Sequence, residues 1–232
     1  MSAMSSDALE AVLSDRPYPG RVIIVARTPT GLVCAYAATG RSEASRQRRI
    51  RLTGDGDLLV EPTVGDASDP LRHYRAVRRT DRHFVLGNGS QVDPVADRIA
   101  AGEVPAVALE DLEYEPDPPI YTPRITAVVA DDDWVWLAAA HRGSAARASA
   151  DTIVTRAGEL AVGDGLLLST YRGPVAEPVT NKVPVPITTT AGSHTELARQ
   201  LWDGLDAERR VLAAGFAPRE HLADPLLINA AG

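Results

Sequence analysis

Arg21-Val22-Ile23-Ile24-Val25-Ala26 and Leu32-Val33-Cys34-Ala35-Tyr36-Ala37 are two short, β-rich, almost wholly apolar runs separated by Thr28-Pro29-Thr30-Gly31. Runs of this length are too short for buried helices, and the proline and glycine between them supply turn chemistry, so together they predict a β-hairpin. Similar runs recur at Leu58-Leu59-Val60, Phe84-Val85-Leu86, Arg124–Val129, Trp134–Leu137, Asp151–Thr155 and Gly165–Tyr171. Strands therefore outnumber helices. Three helical stretches are predicted: one opened by Asp93-Pro94 and ending at Gly102, one from Pro105 to Leu112, and one led by Ser193 and Glu196 in a capping-box pattern. In the last, Leu197, Leu201 and Leu205 share a stripe. Asp69–Arg75 reads as a turn with a short helix. Gly173–Thr190, rich in proline and threonine, reads as a long loop or crossing arm without regular structure. Beyond Asp206 the pattern is ambiguous, and the tail from Pro218 reads as irregular.

The 232 residues suit one compact domain, and no run approaches the roughly 18 apolar residues of a membrane span. Met1–Ser14 lacks the basic start and apolar core of a secretory signal, so it reads as an extension or short helix and the protein is expected in the cytoplasm. A net charge of −7 argues against general nucleic-acid binding. Cys34 stands alone in an apolar run, which excludes an internal disulfide and favours a buried small hydrophobe. His73, His83, His141, His194 and His221 are scattered, and Asp131-Asp132-Asp133 lacks the spacing of a calcium loop, so no metal site is expected.

Two stretches gather chemistry. Leu112–Ile125 holds Glu113, Glu115, Asp117, Tyr114, Tyr121 and Arg124 among four prolines, which stiffen the segment. It reads either as a site or as a plain surface connection joining a helix to a strand. Gly40–Arg51 carries five arginines against one glutamate. Its guanidinium groups suit phosphate oxygens, while an edge strand with alternating solvated charges accounts for the same pattern. The turn Gly87-Asn88-Gly89-Ser90 lacks the lysine of a P-loop.

These motifs have a common order. Tyr18-Pro19-Gly20-Arg21, Gly40–Arg46, Asn88-Gly89-Ser90 with Asp93, Glu113–Asp117, Tyr121–Arg124 and Thr170-Tyr171 resemble the IMP cyclohydrolase family of archaeal and bacterial type. The resemblance implies an α+β fold, a four-layer αββα sandwich of two mainly antiparallel sheets like the N-terminal nucleophile hydrolases. It implies an extension over residues 1–17 and a single domain over 18–232. It also implies closure of a purine ring without a cofactor, on a small purine nucleotide. By motif match, Arg46, Tyr74 and Glu115 are the implied catalytic residues, and Arg21, Arg41, Asn88 and Arg124 the implied substrate-binding ones. Arg124 is equally a structural partner for Glu113 or Asp117. A ring-closing or ring-opening enzyme acting on a related purine-like nucleotide, and a nucleotide-binding protein without catalysis, remain as alternatives. Self-association as a homo-oligomer is compatible with a sandwich of this size.

Overall fold

The computed structural model describes residues 6–65, 69–144, 146–220 and 222–230. Met1 to Ser5 of the extension, and His221, lie outside them. The chain enters through β1 (Asp7–Ala8) and the short helix α1 (Leu9–Ser14), and the expected hairpin follows as β2 (Arg21–Thr28) and β3 (Gly31–Thr39). One helical turn, α2 (Glu43–Arg46), leads to β4 (Arg48–Leu52), β5 (Leu58–Pro62), β6 (Tyr74–Arg79) and β7 (His83–Gly87). Helices α3 (Val92–Ala100) and α4 (Pro105–Glu110) precede the proline loop, which delivers the chain to β8 (Arg124–Ala130), β9 (Val135–Arg142) and β10 (Ala150–Ala157). The remainder supplies β11 (Asp164–Ser169), β12 (Tyr171–Arg172), β13 (Val179–Thr180), β14 (Val185–Thr188), α5 (His194–Gly204), β15 (Arg210–Phe216) and β16 (Leu226–Asn229).

Two seven-stranded sheets result, in the orders β1-β14-β11-β2-β3-β15-β16 and β10-β9-β8-β7-β6-β5-β4. Their ladders are antiparallel except that of β1 with β14. Among the described residues no helix is long and apolar enough to cross a membrane.

Side-chain alternation explains why the central strands are apolar throughout. Ile23, Val25, Cys34 and Tyr36 enter a core shared with Ile50, Val60, Phe84, Leu86 and Ile125 of the other sheet. Val22, Ile24, Val33 and Ala35, on the opposite face, pack with Leu9, Val12 and Leu13 of α1 and Leu197 and Leu201 of α5. A third core joins Val85, Val128 and Ala138 to Val95 and Ile99 of α3 and Leu109 of α4. A strand covered on both faces has no position for a polar alternate. Truncating such a residue, for instance Ile24→Ala, costs about 2–5 kcal/mol.

Several expectations are corrected. Gly173–Thr190 is not irregular: it contains β13 and β14, and β14 pairs with β11 with Ile187 opposite Gly165. Pro186 is tolerated because β1 reaches only Ile187 and Thr188, which leaves the proline on an edge where no N–H is demanded. Nor is the tail irregular, since β16 pairs with β15. Its Asn229 ties the two sheets together, Oδ1 accepting from Ile50 N at 2.7 Å and Nδ2 donating to Ile50 O at 3.1 Å. Asp69–Arg75 forms a turn without the short helix, and β6 begins at Tyr74. Helix α3 is capped at Gln91 instead of Asp93, whose carboxylate receives Arg75 and Arg78. Before α5, Ser193 Oγ accepts from Glu196 N, but the Glu196 carboxylate accepts from Gly192 N, so the reciprocal half of the box is displaced by one residue.

Candidate active site

The N-terminal motif and Thr170-Tyr171 form one structure. Thr170 Oγ1 donates to Pro19 O and accepts from Arg21 N, both at 3.0 Å, and Tyr171 N donates to Pro19 O at 3.1 Å. Gly20 adopts φ +70°, and a Cβ there would lie 2.1 Å from Thr170 Oγ1, so only glycine fits. The junction stacks Tyr18 on Tyr171 with ring centroids 5.8 Å apart and places the Arg41 guanidinium 5.7 Å from the Tyr18 ring.

Facing this junction is the proline loop. Glu115 N donates to Thr122 O at 2.8 Å, which closes the segment back on itself. Behind it Asn88 is fully buried: Nδ2 donates to Pro123 O at 2.9 Å and to Glu115 Oε1 at 3.5 Å, while Oδ1 accepts from Ile125 N at 2.8 Å. The turn Gly87–Ser90 thus braces the loop.

Between them lies a cleft of about 320 Å³ whose lining includes Tyr18, Arg21, Arg41, Arg48, Glu115 and Tyr171. Glu115 is 3% exposed, Arg48 3% and Arg21 9%. Burial pushes the Glu115 carboxyl up to about 7, with Asp117 adding to the rise and Arg21, Arg124 and Arg48 restraining it. Burial also opposes the charge on Arg21, yet Tyr74, Glu115, Tyr36 and Tyr18 hold its guanidinium above the ordinary range. Arg48 is held below its ordinary value by burial and by Arg21. Arg48 Nε donates to Ser45 O, whereas Arg21 Nε and Arg48 Nη2 are buried without a hydrogen-bond partner among the described residues. A carboxyl able to hold or release a proton near neutrality, beside two cations with donors to spare, can run proton transfer next to a developing negative charge.

Of the residues expected at a site, Glu115, Arg21 and Arg41 line this cleft. Tyr74 is buried in the core between the sheets, outside the lining, with its hydroxyl 2.9 Å from that of Tyr36. Arg46 ends α2, is exposed and is not among the lining residues; Asn88 and Arg124 are not among them either. Arg124 opens onto a neighbouring cavity and donates to Ser90 Oγ at 3.1 Å, making no ion pair with Glu113 or Asp117 among the described residues. Arg48, Thr122 and Tyr171 also line the cleft, although the motifs did not mark them as site residues. For Arg48 a signal existed: it shares a strand face with Ile50, the one large apolar residue of that arginine run.

The mostly antiparallel α+β fold thus carries a cleft in which a buried carboxyl lies beside two buried guanidinium groups. The chain belongs to the IMP cyclohydrolase-like family, whose profile matches residues 18–221. It is 33% identical over 205 residues to the IMP cyclohydrolase of Natronomonas pharaonis, covering 85% of this chain and 91% of that one. It is 31% identical over 212 residues to that of Methanothrix thermoacetophila, covering 88% and 94%, and 30% identical over 208 residues to that of Halobacterium salinarum, covering 87% and 92%.

Proposed function

We propose that the protein is an IMP cyclohydrolase, closing 5-formamidoimidazole-4-carboxamide ribonucleotide to inosine monophosphate and water. The observation that carries this reading is the family match over residues 18–221, and the Glu115 carboxyl buried in a cleft shared with Arg21 and Arg48 supports it.

The substrate meets much of the entropic cost itself, because nucleophile and electrophile sit on one imidazole. The carboxamide nitrogen attacks the formyl carbon, Glu115 takes the nitrogen's proton, and Glu115 then passes it to the formyl oxygen, which becomes a hydroxyl. In the second half Glu115 takes the proton of the former formamido nitrogen and delivers it to the hydroxyl, which departs as water. Glu115 ends as it began, and Tyr74, buried outside the lining, is given no step. Proton transfer of this kind contributes about 10²–10⁴-fold, and charge stabilisation at the formyl oxygen about 10²–10³-fold. The latter role, expected of Arg46, is assigned here to Arg48 together with Arg21, because both are buried in the lining with unpartnered donors. Arg41, at the rim, is assigned to the nucleotide phosphate. Asn88 and Arg124 support the loop. The three apolar cores order the layers as helix pair, sheet, sheet, helix pair, which supports an αββα sandwich of the N-terminal nucleophile hydrolase kind.

Incubation with the formamido ribonucleotide, followed by purine absorbance, is expected to give one inosine monophosphate per substrate over many turnovers. Binding of the nucleotide without turnover at high protein concentration contradicts this reading and identifies a non-catalytic binder.

A further inference from the structure

Glu115 is held by a residue that the proposed reaction does not use. Asp117 Oδ1 accepts from Thr122 N at 2.7 Å, and its Oδ2 accepts from Thr122 Oγ1 at 2.6 Å. Thr122 O in turn accepts from Glu115 N at 2.8 Å, and Tyr171 Oη donates to Thr122 Oγ1 at 3.4 Å. Glu115, Asp117, Thr122 and Tyr171 all line the cleft. Thr122 is therefore the point where the loop closes on itself and touches the opposite wall. Asp117 engages it with both oxygens.

We propose that Asp117 is a positioning residue for Glu115, acting through Thr122 to hold the carboxyl in the cleft. The proposal rests on the cyclohydrolase reading. The geometry separates Asp117 from the reacting atoms, since its oxygens face Thr122, and places its charge in the same short loop as the carboxyl it supports. The charged groups acting on Glu115 are Arg21 from β2, Arg48 from β4, Arg124 from β8 and Asp117 from the loop itself. Asp117 is the one negative charge among them, so it favours the protonated carboxyl. Loss of its charge lowers the pH at which Glu115 releases its proton.

The test compares Asp117→Asn, Thr122→Ser and Thr122→Val in kcat, KM and pH–rate profile with the formamido ribonucleotide, thermal unfolding reporting whether each variant is folded. For Asp117→Asn, kcat is expected to fall about tenfold with KM within about twofold, and the acid limb to move to lower pH. Thr122→Ser, which keeps the hydroxyl, retains wild-type kcat; Thr122→Val loses about tenfold. If Asp117→Asn does not fold, the serine–valine pair decides. An active, folded Asp117→Asn with unchanged kcat and acid limb overturns the proposal, as does a rise in KM at constant kcat, which makes Asp117 a substrate contact. Equal rates for serine and valine also overturn it. Should the wild type itself fail to turn over, the cyclohydrolase reading falls, and a ¹³C-carboxyl titration of Glu115 in wild type and Asp117→Asn still reads the positioning: an unmoved midpoint contradicts it.

Discussion

Two arginine-rich regions of this protein face opposite fates. On β6, Arg75 reaches Asp57 at 3.0 Å and Asp93 at 3.2 Å, and Arg78 reaches Asp97 at 2.8 Å, in an open charged depression. In the cleft, Arg21 and Arg48 are far more buried and make no ion pair among the described residues. A partly solvated network neutralises itself and needs nothing further. Buried guanidinium groups without a carboxylate at ion-pair distance are costly unless a ligand completes them, and this is the reason the cleft is proposed as the working site. The depression is larger, at about 970 Å³ against about 320 Å³, but size does not distinguish a site from a surface; charge balance does.

Substitutions can break this contrast. The largest effect is expected from Glu115→Gln, which removes the proton carrier while preserving shape: kcat falls about 10²–10⁴-fold and binding of inosine monophosphate persists. Arg48→Ala follows, lowering kcat/KM about 10²–10³-fold, with Arg46→Ala far milder, as steady-state kinetics on the pair will show. Stability sharpens the comparison from another side. Because the folded protein keeps the Glu115 proton up to about pH 7 against an ordinary 4.5, stability falls as pH rises between those values. Glu115→Gln removes that fall, so denaturant unfolding is expected to find it about 3 kcal/mol more stable than wild type at pH 8, and the two alike at pH 4. In the depression, Asp93→Asn is expected to cost about 1 kcal/mol or less, to weaken further in significance at high salt, and to leave turnover untouched.

The same physics decides what was legible beforehand. Strands β2 and β3 could be read because double burial makes their sequences continuously apolar, and α5 because Leu197 and Leu201 recur at helical spacing. Strands β14 and β16 could not: Pro186 breaks the expected signal, and four residues at the end of the chain become a strand only because β15 lies beside them. At the site, composition and motif order singled out Leu112–Ile125 and Glu115, and the structure buries Glu115 in the cleft lining. The Asp117–Thr122 clasp did not, since it depends on a loop that turns through Tyr121 at φ +51°. Arg46 and Arg48 are two residues apart in a run of arginines, and which one meets the cleft is set by the end of α2 and the start of β4, a boundary that pattern reading does not resolve.

The most direct test is the pH dependence of single-turnover ring closure in the wild type and in Glu115→Gln. A rate that rises through one ionisation near pH 7 in the wild type, with that ionisation missing from the residual activity of the variant, is the expected result. A profile that is flat from pH 5 to pH 8.5, or a Glu115→Gln variant that closes the ring at the wild-type rate, contradicts the assignment of the cleft as an acid–base site built on Glu115.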